Sequence, residues 1–176
     1  MPTSDHMIGG INNKNGMCGF AASVYMACKI DPTRIPTITQ SNLARRTLVE
    51  IAHFLQTIKS SNQQLFQEIG KYTQSFGDKY KNFDMDQFIG LCNFAVNVTE
   101  KHILDEGGYD IAMTPNAVAA YLKLAWDIDA KAQQVNGGQG NGNCIIGLCG
   151  NGKGLYNDLK HWVYRHNGVY YSWGNT

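Results

Sequence analysis

Residues 15–30 read Asn15-Gly16-Met17-Cys18-Gly19-Phe20-Ala21-Ala22-Ser23-Val24-Tyr25-Met26-Ala27-Cys28-Lys29-Ile30, a glycine-flanked turn that runs straight into an apolar stretch. From Cys18 the run sets Phe20, Val24 and Cys28, or Ala21, Tyr25 and Cys28, on one face at helical spacing. It stops before Asp31-Pro32, because proline disfavours helical backbone in the residue ahead of it. The spacing predicts a buried first helix with Cys18 at its N-terminus. A thiol in that position meets the positive end of the helix dipole and unpaired backbone N–H groups, which favour thiolate and can bind a developing oxyanion. Cys18 is therefore the candidate nucleophile, and it needs a base.

Working outward, SNLARRTLVEIAHFLQTIK carries Leu43, Thr47, Ile51, Phe54 and Ile58 at helical intervals, and SNQQLFQEIGKYTQSF carries Leu65, Phe66, Ile69 and Tyr72, with Gly77 ending it. A fourth helix is expected over MDQFIGLCNFAVNVTEKHI, capped by Asp84 or Asp86. Thr114-Pro115 opens a fifth, PNAVAAYLKLAWDID, as an N-cap followed by proline at the first helical position. The stretch QQVNGGQGNGN is polar and glycine-rich and reads as a mobile loop bordering a cleft. Beyond it the pattern changes to CIIGLC, HWVYRH and VYYSW, with Asn167-Gly168 between the last two as a strong hairpin signal. The expected fold class is α+β in one domain, 1–176: a helical part at about 18–130 and an antiparallel β part at about 144–175.

Composition narrows the function classes. The 176 residues hold 15 Lys+Arg against 14 Asp+Glu, a formal net charge of +1, which disfavours nucleic-acid binding through bulk charge. No window is long and apolar enough for a membrane helix, and MPTSDHMIGG lacks the regions of a signal peptide. The five cysteines, an odd number, read as reduced. Cys144 and Cys149 with His161 and His166 match no standard zinc spacing, so these two cysteines are read as small core residues, with no metal expected.

Thiol catalysis needs an imidazole to take the proton, a group that orients the ring, and donors for the oxyanion. Of the five histidines, His161 opens a predicted strand beside Trp162, whereas His166 abuts the turn, His53 and His102 lie on helices and His6 is near the start. His161 is the candidate base. A two-residue Asn167-Gly168 turn pairs 166 with 169, and hence 161 with 174. Asp158, shortly before His161, is one candidate for orienting the ring.

GMCGFAAS at the nucleophile helix and HWVYRHNGVYYSWGN at the C-terminus together resemble the papain-like cysteine peptidase superfamily, over the two ends of the chain and not the helices between. The resemblance implies a papain-like fold in which Cys18 attacks, His161 shares the proton and Asn175 orients the imidazole, with Trp173 shielding that bond. It places the oxyanion side chain on Asn12, where an asparagine replaces the family's usual glutamine, with Asn13 and Asn15 as neighbours that could substitute. Gly16, Met17 and Trp173 would line the substrate site, and no cofactor is implied. The register above points Asn175 to the opposite face from His161 unless a bulge intervenes.

Only 17 residues precede Cys18, too few for an inhibitory pro-domain. The unit is similar to the compact toxin domains of bacterial polymorphic effectors, Rhs-linked or type VI secreted. That likeness implies a secreted effector acting on a protein or peptide in the target-cell cytoplasm, paired with a cognate immunity protein. Two further readings stand beside the protease: a peptidoglycan amidase, glutamine deamidase or transglutaminase using the same thioester chemistry, and a binding module in which Cys18 is a buried helix residue.

Overall fold

The structure is a computed structural model, and it describes residues 8–33, 42–135 and 142–172. The cysteine-bearing helix, α1 (Cys18–Ile30), has the bounds its apolar run predicts, and every residue from Gly19 to Cys28 is buried. A helix covered on all sides forms the centre of a fold rather than its surface. Around it stand α2 (Leu43–Ser61), α3 (Gln63–Gln74), α4 (Met85–Phe94), α5 (Glu100–Glu106) and α6 (Pro115–Trp126), followed by strands β1 (Cys144–Cys149), β2 (Leu159–His166) and β3 (Val169–Tyr171). The strands form one antiparallel sheet in the order β1-β2-β3. Mixed helix and sheet in this order agrees with the α+β expectation.

Side-chain caps set most of the helix starts. The Asn62, Asp84, Thr99 and Thr114 side chains each accept a backbone N–H from the first turn of α3, α4, α5 and α6 respectively, a class of contact worth about 1 kcal/mol each. Helix α2 is capped from a distance: the Glu100 carboxylate accepts the N–H groups of Ala44 (2.6 Å) and Arg45 (3.0 Å). This ties α5 to α2 and explains a departure from the expected single helix over 85–103. After α4 the chain makes a 3-10 turn at Ala95–Asn97, Val98 is extended, and Thr99 starts a new helix whose first residue is the capping glutamate.

Tertiary packing converges on α1. Phe20 meets Tyr121 of α6 edge-on at 4.7 Å, Phe54 of α2 meets the same ring at 5.3 Å, and Tyr25 meets Tyr171 of β3 at 5.4 Å. One core therefore reaches from the helices into the sheet. Buried rings of this size contribute about 2–3 kcal/mol apiece from the apolar area removed from water. The hairpin closes as its sequence requires: Asn167 (φ 49°) and Gly168 (φ 81°) both take left-handed backbone, and His166 pairs with Val169. Cys144 is half-buried and Cys149 is exposed at a register shift in β1, which corrects the reading of both as core residues. Most of the glycine-rich loop, 136–141, lies outside the described residues.

Candidate active site

A cavity of about 480 Å3 opens at the N-terminus of α1. Four segments distant in sequence wall it: the loop 12–16, Tyr72, Thr73, Phe76 and Tyr80 at and beyond the end of α3, residues 110–113 ahead of α6, and Lys160, His161 and Trp162 at the start of β2. Cys18 and His161 both line it, as does Asn12. The fold thus brings together the nucleophile, base and oxyanion candidates chosen from sequence.

The loop before Cys18 is fixed by its asparagines. Asn15, nearly fully buried, donates through Nδ2 to the carbonyls of Ile11 (3.0 Å) and Ile103 (3.2 Å) and accepts the Tyr109 N–H on Oδ1 (3.1 Å). Its polar atoms are consumed by the scaffold, so it is not the oxyanion donor. Asn13 is exposed. Asn12 is different: its Oδ1 accepts the N–H of Met17 (3.0 Å), and among the described residues its Nδ2 has no acceptor. An amide held by its oxygen on a cavity wall keeps its NH2 for a ligand. Met17 is fully buried, which overturns its expected place among the substrate contacts, whereas Gly16 is exposed on the cavity wall.

Opposite the loop, residues 109–113 act as a strap. The Ile111 N–H donates to Gly16 O (3.0 Å), the Ala112 N–H to Thr73 Oγ1 (3.0 Å), and Trp162 Nε1 to Met113 O (2.8 Å). Asp110 anchors the strap to the nucleophile loop: its Oδ1 accepts the Gly16 N–H at 2.7 Å, while Oδ2 accepts from Lys79 Nζ (2.9 Å) and Tyr80 OH (3.1 Å). Burial acts to raise its carboxyl, but these donors outweigh it and hold the group below the ordinary 3.8. Gly107 (φ 68°) begins this stretch because a Cβ there would sit 2.1 Å from the Lys14 carbonyl oxygen. Sequence inspection passes over the strap, since its partners are remote and it carries no periodic pattern.

On the cavity wall, burial pushes the Cys18 thiol above 9.0, and the N–H groups of Trp162, Gly19 and Cys18 itself draw it down without overcoming that effect. The expectation that the helix N-terminus wins, giving a resting thiolate, is corrected. Burial also lowers the His161 ring below 6.5. The neutral thiol and neutral imidazole are therefore the resting forms at neutral pH. The Trp162 N–H at the thiol sets the residue after His161 against Cys18.

His161 Nε2 lies 2.6 Å from Ser172 Oγ, a partner the sequence reading did not name. Continuing the β2–β3 register from Tyr164 opposite Tyr171 puts Ser172 across from Val163, on the face His161 shares, so register alone could have found it. Asp158, the other candidate for orienting the ring, pairs instead with Lys160 Nζ at 2.6 Å. Asn175 and Trp173 lie outside the described residues, as does His6. The remaining histidines are elsewhere: His166 bonds Asn143 and Tyr164 at the hairpin, His102 is exposed on α5, and His53 lines a second cavity that holds no cysteine. Among the described residues no cluster of three metal-ligating side chains occurs, and no helix is long and apolar enough to cross a membrane. No family model, curated protein or solved structure matches the chain.

Proposed function

We propose that this chain is a cysteine protease of the papain-like kind, hydrolysing a peptide bond of a protein through a thioester. One observation carries the reading: Cys18 at the start of a buried helix, His161 on the adjoining strand and the uncommitted amide of Asn12 line one cavity. In the first step Cys18 Sγ attacks the carbonyl carbon while its proton passes to His161. The oxyanion is met by the Cys18 N–H and Asn12 Nδ2. His161 then gives the proton to the leaving nitrogen as the C–N bond breaks, leaving an acyl thioester. Water attacks the thioester, losing a proton to His161, and the acid is released as the proton returns to sulfur.

Neutral resting partners suit this sequence, because the thiol loses its proton as the carbon–sulfur bond forms. The assignment as a bacterial effector domain, acting in a target cell and restrained by an immunity protein, is part of the same proposal and rests on the likeness of the short catalytic unit to the toxin domains of such effectors. Expression in the bacterial cytosol is expected to arrest growth with wild type and not with Cys18→Ala or His161→Ala. Lysis confined to periplasmic expression would replace a cytosolic protein substrate with the cell wall. Growth arrest by Cys18→Ala at wild-type level would refute the thiol mechanism.

A further inference from the structure

We infer that Ser172 is the positioning residue of the catalytic ring: its hydroxyl oxygen accepts the Nε2–H of His161, which holds the neutral imidazole in the tautomer that leaves Nδ1 unprotonated. The inference rests on the proposed hydrolase reading and specifies how its base is oriented. Three observations support it. The contact is short, 2.6 Å, and joins β2 to the residue that directly follows β3. Extending the register one residue past its last pair, Tyr164–Tyr171, puts Ser172 opposite Val163, on the face that His161 shares. The carboxylate nearest in sequence, Asp158, is engaged by Lys160.

A hydroxyl differs from a carboxylate in a way that matters to the chemistry. It fixes the tautomer but adds no negative charge to stabilise an imidazolium. Other titratable groups around the cavity are Cys18, Tyr72, Tyr80, Asp110, Lys14 and Lys160. The Asp110 charge is met by Lys79 and the Lys160 charge by Asp158, so neither acts on the ring as an isolated charge. A neutral partner in a half-buried site is consistent with a ring that stays neutral until it takes the thiol proton.

Two-bond 1H–15N spectra of the folded full chain report directly which ring nitrogen carries the proton. With wild type, His161 is expected as the Nε2–H tautomer above its titration. Ser172→Ala should give a mixed tautomer and slow Cys18 alkylation by iodoacetamide about tenfold, the effect of one lost hydrogen bond, while Ser172→Thr should restore both. Ser172→Asp should raise the ring's titration midpoint. An unchanged tautomer and unchanged alkylation in Ser172→Ala, or an Nδ1–H tautomer in wild type, would overturn the assignment. Failure of the hydrolase reading looks different: the tautomer would depend on Ser172, yet no cleavage would depend on Cys18.

Discussion

The N–H of Met17 donates to Asn12 Oδ1 at 3.0 Å, so the residue before the nucleophile fixes the orientation of the amide opposite it. The proposed role of Asn12 follows from that bond, since its NH2 group can then serve only as a donor to the cavity. Asn12→Asp retains the acceptor for Met17 but replaces the donor with a carboxylate. Turnover should fall by roughly 10²–10³-fold, with the fold kept. Steady-state cleavage and a melting curve together check this; an active Asn12→Asp would remove Asn12 from the oxyanion site.

Asp110 joins the strap to the nucleophile loop through Gly16. Its folded carboxyl titrates below the ordinary value, so its contribution to stability is present above the unfolded value and is lost as pH falls through the folded one. Asp110→Asn keeps an acceptor for Gly16 but loses the Lys79 ion pair. The variant should be less stable at neutral pH by about 1–2 kcal/mol. It should also lose part of the acid-side decline that wild type shows in denaturant melts run from pH 7 down to 3.

Gly19 sits at a close approach between α1 and the strap. A Cβ there would lie 2.7 Å from Met113 Cβ and 3.3 Å from Trp162 Cδ1. Gly19→Ala must therefore move the start of α1 away from Met113 of the strap, at a cost of about 1–3 kcal/mol. The displacement should separate Cys18 from His161, and activity should fall by more than the loss of folded protein explains. Active-site titration on the folded fraction measures the difference.

With the ring held below 6.5 and the thiol above 9.0, the pair rests neutral between those values. Cys18 alkylation at neutral pH should accordingly depend on His161 as base and decline as pH falls through the ring's titration. Loss of His161 in His161→Ala should leave a slow thiol that reacts only at alkaline pH. A rate that persists undiminished at pH 4 would instead indicate a preformed thiolate–imidazolium pair.

How much of this was legible in the sequence depends on the range of the interactions. Helix α1 and the Asn167-Gly168 hairpin are written locally, in an unbroken apolar run and a turn dipeptide that needs two left-handed residues. The break between α4 and α5 has a local mark, the Thr99 cap, and a remote one that no spacing rule shows, Glu100 held at the N-terminus of α2. Within the site, Cys18, His161 and Asn12 carry recognisable neighbours. Asp110 and Thr73 do not, since each acts on a residue far along the chain and no spacing rule links them. The helix-dipole argument for a thiolate was incomplete for a related reason, because the sequence shows the helix end but not the burial that opposes it.

The central claim, Cys18-dependent hydrolysis of a protein, is tested most directly by a proteome-wide comparison of new N-termini in cells expressing wild type, Cys18→Ala or His161→Ala. The account predicts a small set of cleavage sites that appear with wild type and are absent with both variants. The same N-termini in all three, or none in any while folded protein accumulates, would contradict it.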